Sequence, residues 1–213
     1  MKSRVDKLID GFASKDVNDE NVLGAIRKIP REKFVEQPLR ELCYDDIPLP
    51  IGHGQTISSV YVVALMTQAL SLDKEHKVLE VGTGSGYQAA VLAALSASVF
   101  TVERIRDLSS KARVVIESLN IRNITFIVGD GTIGFSEYAP YDRIIITACS
   151  PNVPMSLFNQ LIEGGIMVMP VEKSGLQNIS VIEKRNGGMH SKNIAPANFV
   201  KLIGKNGYET QKM

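Results

Sequence analysis

The residues in this chain best suited to chemistry are three acids and three alternating glycines. Residues 77–81 form a short apolar strand-type run holding Glu80, and Gly82, Gly84 and Gly86 follow at alternate positions. Residues 88–95 then read as helix. Strand, tight glycine turn and helix N-terminus are the opening of a nucleotide-binding α/β unit. A dinucleotide fingerprint needs glycine three places after Gly84, and Tyr87 stands there instead. Glu103 ends the next predicted strand, where a carboxylate can accept both hydroxyls of a ribose. Asp130, followed by Gly131, suits an adenine amino group, with neighbouring backbone amides for the ring nitrogens. Any one of these acids alone reads as a solvated strand end. Three at successive strand ends beside a glycine turn read as a cofactor site.

The elements that position them follow from periodicity. Apolar spacing predicts helices over residues 5–12 and 20–28, the second capped by Asn18 or Asp19. Residues 34–50, with Pro38, Pro48 and Pro50, read as an extended irregular connection. Residues 51–58 read as a polar loop leading into an apolar helix over 60–72. After the glycine turn, strands are expected at 98–103, 124–128, 141–148 and 166–171, and helices at 107–119 and 154–161. Gly164 and Gly165 are expected to cap the last helix. Alternation of this kind implies parallel βαβ units with right-handed crossovers. Residues 178–185 and 197–203 are expected to close the sheet as an antiparallel pair. The fold class is α/β: a doubly wound Rossmann-like sheet, mostly parallel, with an antiparallel C-terminal strand pair and an N-terminal helical cap. One domain spans 1–213, divided into cap and active-site loop (1–72), cofactor-binding core (73–175) and C-terminal strands (176–213).

Composition narrows the partners. The 213 residues carry a net charge of +1, which gives no broad field for nucleic acid or anionic membrane. Cys43 and Cys149 have no metal-ligand spacing and read as free buried thiols. Charged residues near the N-terminus replace the apolar core of a signal peptide, and no apolar run reaches transmembrane length. A cytoplasmic protein, monomeric and bound to neither membrane nor nucleic acid, is expected.

With these residues placed, the alternating glycines behind Glu80 resemble the first motif of S-adenosylmethionine-dependent methyltransferases. There the bare backbone lies against the methionine half of a cofactor that has no pyrophosphate. Nearly the whole chain resembles the protein-L-isoaspartate O-methyltransferase family. The likeness runs through 31–35, 44–52, Gly54-Gln55-Thr56-Ile57-Ser58, 78–88, 102–105, Gly129-Asp130-Gly131 and Gly164-Gly165. Residues 54–58 are the stretch that separates this family from other methyltransferases. The resemblance implies methyl transfer to the α-carboxylate of L-isoaspartyl residues in damaged proteins, with S-adenosyl-L-homocysteine as product and no metal. It places Ser58 at the catalytic centre, its hydroxyl able to donate to the substrate carboxylate. It places Thr56, Ile57, Glu80, Gly82, Thr83, Gly84, Ser85, Glu103, Arg104, Asp130 and Gly131 around the cofactor. Read without the family, Ser58 is an N-cap for the helix after it, and the two roles are compatible. His53 reads as a Gly-flanked, solvent-exposed residue with no role.

The sequence departs from the family in three places: Val60 and Lys201 stand where proline is usual, and Thr132 where an aromatic residue is common. Two other readings share the fold class. A tRNA adenine-N1 or small-molecule methyltransferase needs no Asn/Asp-Pro-Pro-aromatic motif, and residues 147–152 offer none. A cofactor-binding protein that has lost catalysis draws support from Val60 and Lys201.

Overall fold

Five β-branched-rich segments pair in parallel at the centre of the computed structural model, which describes residues 3–12 and 16–209. They are β3 (Lys77–Val81), β4 (Ser98–Glu103), β5 (Ile124–Val128), β6 (Tyr141–Ile146) and β7 (Leu161–Lys173). β8 (Leu176–Arg185) and β9 (Gly188–Ala197) extend the sheet antiparallel, giving the order β5-β4-β3-β6-β7-β8-β9. The order reverses between β3 and β6, and ligands of such sheets bind at the carboxyl ends of the strands at that point.

Alternation along each strand divides the core between the two faces. Val78, Val99 and Ile145 join one apolar cluster, and Leu79, Val81, Phe100, Ile144 and Ile146 join the other. The first cluster takes in the N-terminal cap and the helices over it. These are α1 (Arg4–Asp10), α2 (Glu20–Lys28), α3 (Val60–Ala69), α4 (Tyr87–Ala93) and α5 (Arg106–Ser118). α6 (Met155–Phe158) packs on the opposite face. Asp19 is the observed cap of α2, its carboxylate accepting from the amides of Asn21 and Val22.

Four expectations are corrected. Residues 51–58 are not a loop: β1 (Leu49–Gly52) and β2 (Gln55–Ile57) form a two-stranded hairpin. His53 and Gly54 turn it with positive φ (53° and 67°), the conformation that two-residue hairpin turns of this twist demand. The connection before it is coiled into short 3₁₀ turns, Arg31–Phe34 and Gln37–Leu42, because Pro38 initiates a tight turn as readily as it blocks a helix. Gly164 and Gly165 cap nothing. Asn159 ends α6, and the glycines sit inside β7, where the register against β6 slips between Leu161 and Ile166. Finally, the partner of β8 is β9, turned at Asn186 and Gly187. β9 is an edge strand whose residues are mostly exposed, so it leaves no apolar alternation in the sequence.

Arg143 on β6 joins the sheet to α3. Its Nε donates to the Leu70 carbonyl (2.6 Å) and its Nη2 to that of Ser71 (3.3 Å), satisfying acceptors that a helix C-terminus leaves unpaired. Arg143→Leu should therefore lower stability by about 1–3 kcal/mol, read from urea unfolding midpoints at constant slope. A change below about 0.5 kcal/mol would show that water replaces these bonds at no cost.

Candidate active site

The glycine turn is shaped by close approaches. Gly82 has φ 98°, and a Cβ on it would collide with the Thr147 hydroxyl, which donates instead to the Gly82 carbonyl (2.7 Å). Gly86 has φ 88° and lies against the Ala112 and Ile116 side chains of α5, where any Cβ would crowd both, so glycine lets the turn pack closely on that helix.

Glu103 ties this turn to the end of the neighbouring strand. One carboxylate oxygen accepts from the Gly84 amide (3.0 Å) and the other from the Ile105 amide (2.9 Å). Each oxygen keeps a lone pair, and the side chain lines the cleft although only 6% of the residue is exposed. This acceptor pair fits a vicinal diol: a carboxylate already oriented by backbone, with one free acceptor site on each oxygen.

The cleft at the switch point has a volume of about 970 Å³ including its open mouth. It brings together Thr56, Ile57 and Ser58 from the hairpin with Gly82, Thr83, Gly84 and Ser85 from the turn. Glu103, Arg104 and Gly131 complete the predicted lining. Sequence reasoning did not place Tyr87 and Gln88, at the start of α4, in the site; residues 199–203, which hold the Lys201 departure from the family, also line the cleft. That segment is not a strand of the sheet. It is held by a bridge in which the Cys149 amide donates to the Val200 carbonyl (2.7 Å) and the Leu202 amide to that of Cys149 (2.7 Å).

Ser58 does not cap α3; the cap is Ser59, whose hydroxyl accepts from the Val62 amide. The Ser58 hydroxyl makes no hydrogen bond to a described residue, while its carbonyl accepts from Arg31 (2.7 Å). His53 is not idle either. Its Nε2 lies 2.8 Å from an Asp107 oxygen, strapping the hairpin tip to the first turn of α5.

Two predicted cofactor residues lie behind the cleft. Asp130 is directed at the C-terminal segment: its oxygens accept from the Thr132 amide and hydroxyl (2.9 and 2.7 Å) and from the Lys205 amide (2.8 Å). Burial raises its pKa, but these donors outweigh burial and the net shift is downward. Glu80 is fully buried on the helical face. One oxygen is 2.5 Å from the Thr101 hydroxyl, which meets the Thr83 hydroxyl at 2.5 Å, and the other has no partner. Burial pushes its pKa up to about 8, with the Thr101 hydrogen bond opposing and the Glu103 charge adding to the rise. Glu80 is thus a neutral acid at neutral pH, linked through two hydroxyls to the cleft wall.

Among the described residues no group of His, Cys, Asp and Glu side chains could hold a metal ion, and no helix is long and apolar enough to cross a membrane.

Because Glu80 has a raised folded-state pKa, its contribution to stability is fully present below the unfolded value of 4.5 and is lost as pH rises towards 8. Glu80→Gln, which cannot ionise, removes this term. The stability of wild type relative to Glu80→Gln should fall by several kcal/mol between about pH 4.5 and pH 8, measured by urea denaturation across that range. A pH-independent difference would show Glu80 to titrate normally.

Comparison with known proteins agrees with this geometry. The sequence model of the protein-L-isoaspartate(D-aspartate) O-methyltransferase family matches residues 3–207. A protein-L-isoaspartate O-methyltransferase of Geobacter metallireducens is 48% identical over 200 residues, covering 93% of each chain. That of Dictyoglomus turgidum is 46% identical over 202 residues, covering 95% of this chain and 92% of its own. A solved protein-L-isoaspartate O-methyltransferase superposes with TM-score 0.85 at 31% identity, covering 95% of this chain and 67% of that one. A Plasmodium falciparum structure, described as a putative member in complex with S-adenosyl-L-homocysteine, gives 0.83 at 25% identity over 95% of this chain and 99% of that one. With the family matched over residues 3–207 and the glycine turn, Glu103 and the hairpin assembled at one switch point, the chain belongs to the protein-L-isoaspartate O-methyltransferase family of S-adenosylmethionine-dependent enzymes.

Proposed function

We propose that the cleft transfers a methyl group to the α-carboxylate of L-isoaspartyl residues in damaged proteins, with Ser58 meeting that carboxylate. The observation that carries this reading is the Ser58 hydroxyl, uncommitted to the fold and facing the same cleft as the Glu103 carboxylate. Bound S-adenosylmethionine supplies an electrophilic methyl group.

This chain's residues then have a limited task. A carboxylate with a solution pKa of about 4 is ionised at neutral pH, so no general base is required and no proton moves. Glu103 accepts the ribose hydroxyls with the lone pairs that the Gly84 and Ile105 amides leave free. Thr56, Ile57, Gly82, Thr83, Ser85 and Arg104 wall the cofactor, and the Gly131 backbone faces its adenine end. In this arrangement Asp130 and Glu80 support the wall rather than touch the cofactor. Asp130 anchors the 204–206 segment, and Glu80 positions Thr83 through Thr101. Ser58 orients the nucleophile, and the apolar surface of Val62, Val63 and Met66 keeps its surroundings dry. We place the enzyme in the cytoplasm as a monomer acting on protein and peptide substrates.

Labelled methyl transfer to paired isoaspartyl and aspartyl peptides, beside a tRNA control, tests the activity. Base-labile ester on the isoaspartyl peptide alone is expected; label on tRNA, or on neither peptide, would overturn the reading. Ser58→Ala should lower kcat/KM by roughly tenfold to a hundredfold and leave S-adenosyl-L-homocysteine affinity unchanged by calorimetry. Glu103→Gln should do the reverse, weakening cofactor binding by about tenfold or more because the diol loses a charged acceptor.

A further inference from the structure

Among the described residues Arg31 is the most buried cation, with a relative exposure of 0%. Its Nε donates to the Cys43 carbonyl (2.9 Å) and its Nη2 to the Ser58 carbonyl (2.7 Å), while Nη1 has no partner. The guanidinium carbon lies 5.0 Å from the centre of the Tyr87 ring, a wall of the cleft. No described carboxylate comes within salt-bridge distance. Asp46 attracts it from farther away, but one Asp46 oxygen accepts from the Tyr61 amide (2.8 Å). Glu32 accepts from the Tyr44 hydroxyl (2.7 Å). Desolvation lowers the Arg31 pKa, yet a guanidinium keeps its proton in proteins.

A buried charge with no paired anion is costly, and such charges persist where something else supplies the opposite sign. This one sits directly behind the residue that faces the cleft with a free hydroxyl. We propose that Arg31 is a positioning and charge-selecting residue: through the Ser58 peptide unit it fixes the hydroxyl and supplies the counter-charge for the substrate carboxylate. The proposal rests on the reading that the carboxylate docks at Ser58.

The arrangement also weakens the hold on the product. Methylation converts the bound anion to a neutral ester, so the attraction to Arg31 vanishes with the reaction and the product is released. Because the cation attracts the anionic ground state at least as strongly as the transition state, its removal should raise KM much more than it lowers kcat.

The test compares an isoaspartyl peptide with its α-carboxamide analogue, neutral and nearly isosteric, binding to enzyme loaded with S-adenosyl-L-homocysteine. Wild type should prefer the carboxylate, and Arg31→Gln should reduce that preference about tenfold. Arg31→Lys, which keeps the charge but not both hydrogen bonds, should retain most of it. Equal weakening of both peptides in Arg31→Gln, with the preference intact, would overturn the proposal and leave Arg31 as a structural tie. Absence of any preference in wild type would instead overturn the docking reading, and the proposal with it. Wild type alone gives a second check should the variants not fold. A buried cation is poorly screened, so the preference should persist from about 0.05 to 0.5 M salt. Its loss over that range would assign the selection to surface charge and sink the proposal.

Discussion

The cleft depends on the Glu103 carboxylate being held between two backbone amides. Gly84 belongs to the turn after β3, and Ile105 to the turn after β4. This side chain therefore ties together the turns after two neighbouring strands, across which a nucleoside must lie. Glycine at 82 and 86 lets the turn approach Thr147 on one side and α5 on the other, so the carboxylate meets an amide already aimed at it. Held this way, Glu103 loses little rotamer freedom when it accepts a diol, since the ordering was completed on folding.

The N-terminal cap closes the other wall by different means. A two-stranded hairpin is marginal by itself in water. Here it is fastened at both ends: His53 at the tip meets Asp107 on α5, and Arg31 beneath it meets the Ser58 carbonyl. The residues proposed to meet the substrate thus sit on a short element whose position is set by contacts with α5 and the 3₁₀ turns, rather than by its own ladder. Changes in the cap far from Ser58 will act on the reaction through these fastenings.

The parallel sheet was legible in the sequence because its strands are short apolar runs holding β-branched residues, and the central strands β3, β4 and β6 are largely buried. The same burial identified Glu103 and the glycine turn. What was not legible is set by pairing and packing with other parts of the chain rather than by the residues' own pattern. Nothing local marks Gln55-Thr56-Ile57 as a strand, since it exists by pairing with residues 49–52. β9 has mostly exposed side chains and no apolar alternation. Arg31 reads as a surface charge until the carbonyls of Cys43 and Ser58 are brought to it. Glu80 reads like Glu103, a strand-end acid, yet it precedes the strand terminus and points into the helical face, where burial keeps it protonated.

The three departures from the family pattern bear on how the cleft is braced, and two of them replace proline. Proline costs a backbone its amide hydrogen, so replacing it matters only where the restored amide is left buried without a partner, or where the fixed φ was needed. Val60 is the first residue of α3, where amides are unpaired by the helix in any case, and Ser59 supplies the cap that holds the entry angle. At 201 the bridge to Cys149 runs through the Val200 carbonyl and the Leu202 amide, so lysine or proline between them serves equally, and the Lys201 ammonium rests on the Tyr208 ring at 5.0 Å. Thr132 goes further. Its hydroxyl donates to Asp130 and accepts from the Asn206 amide, so it fastens the C-terminal segment through hydrogen bonds. A hydroxyl held between the Asp130 carboxylate and the Asn206 amide ties that segment down, and Gly207 approaches the same side chain closely. The substitutions therefore alter how the cleft is braced, while its lining at Thr56, Ser58, Gly82 and Glu103 is kept.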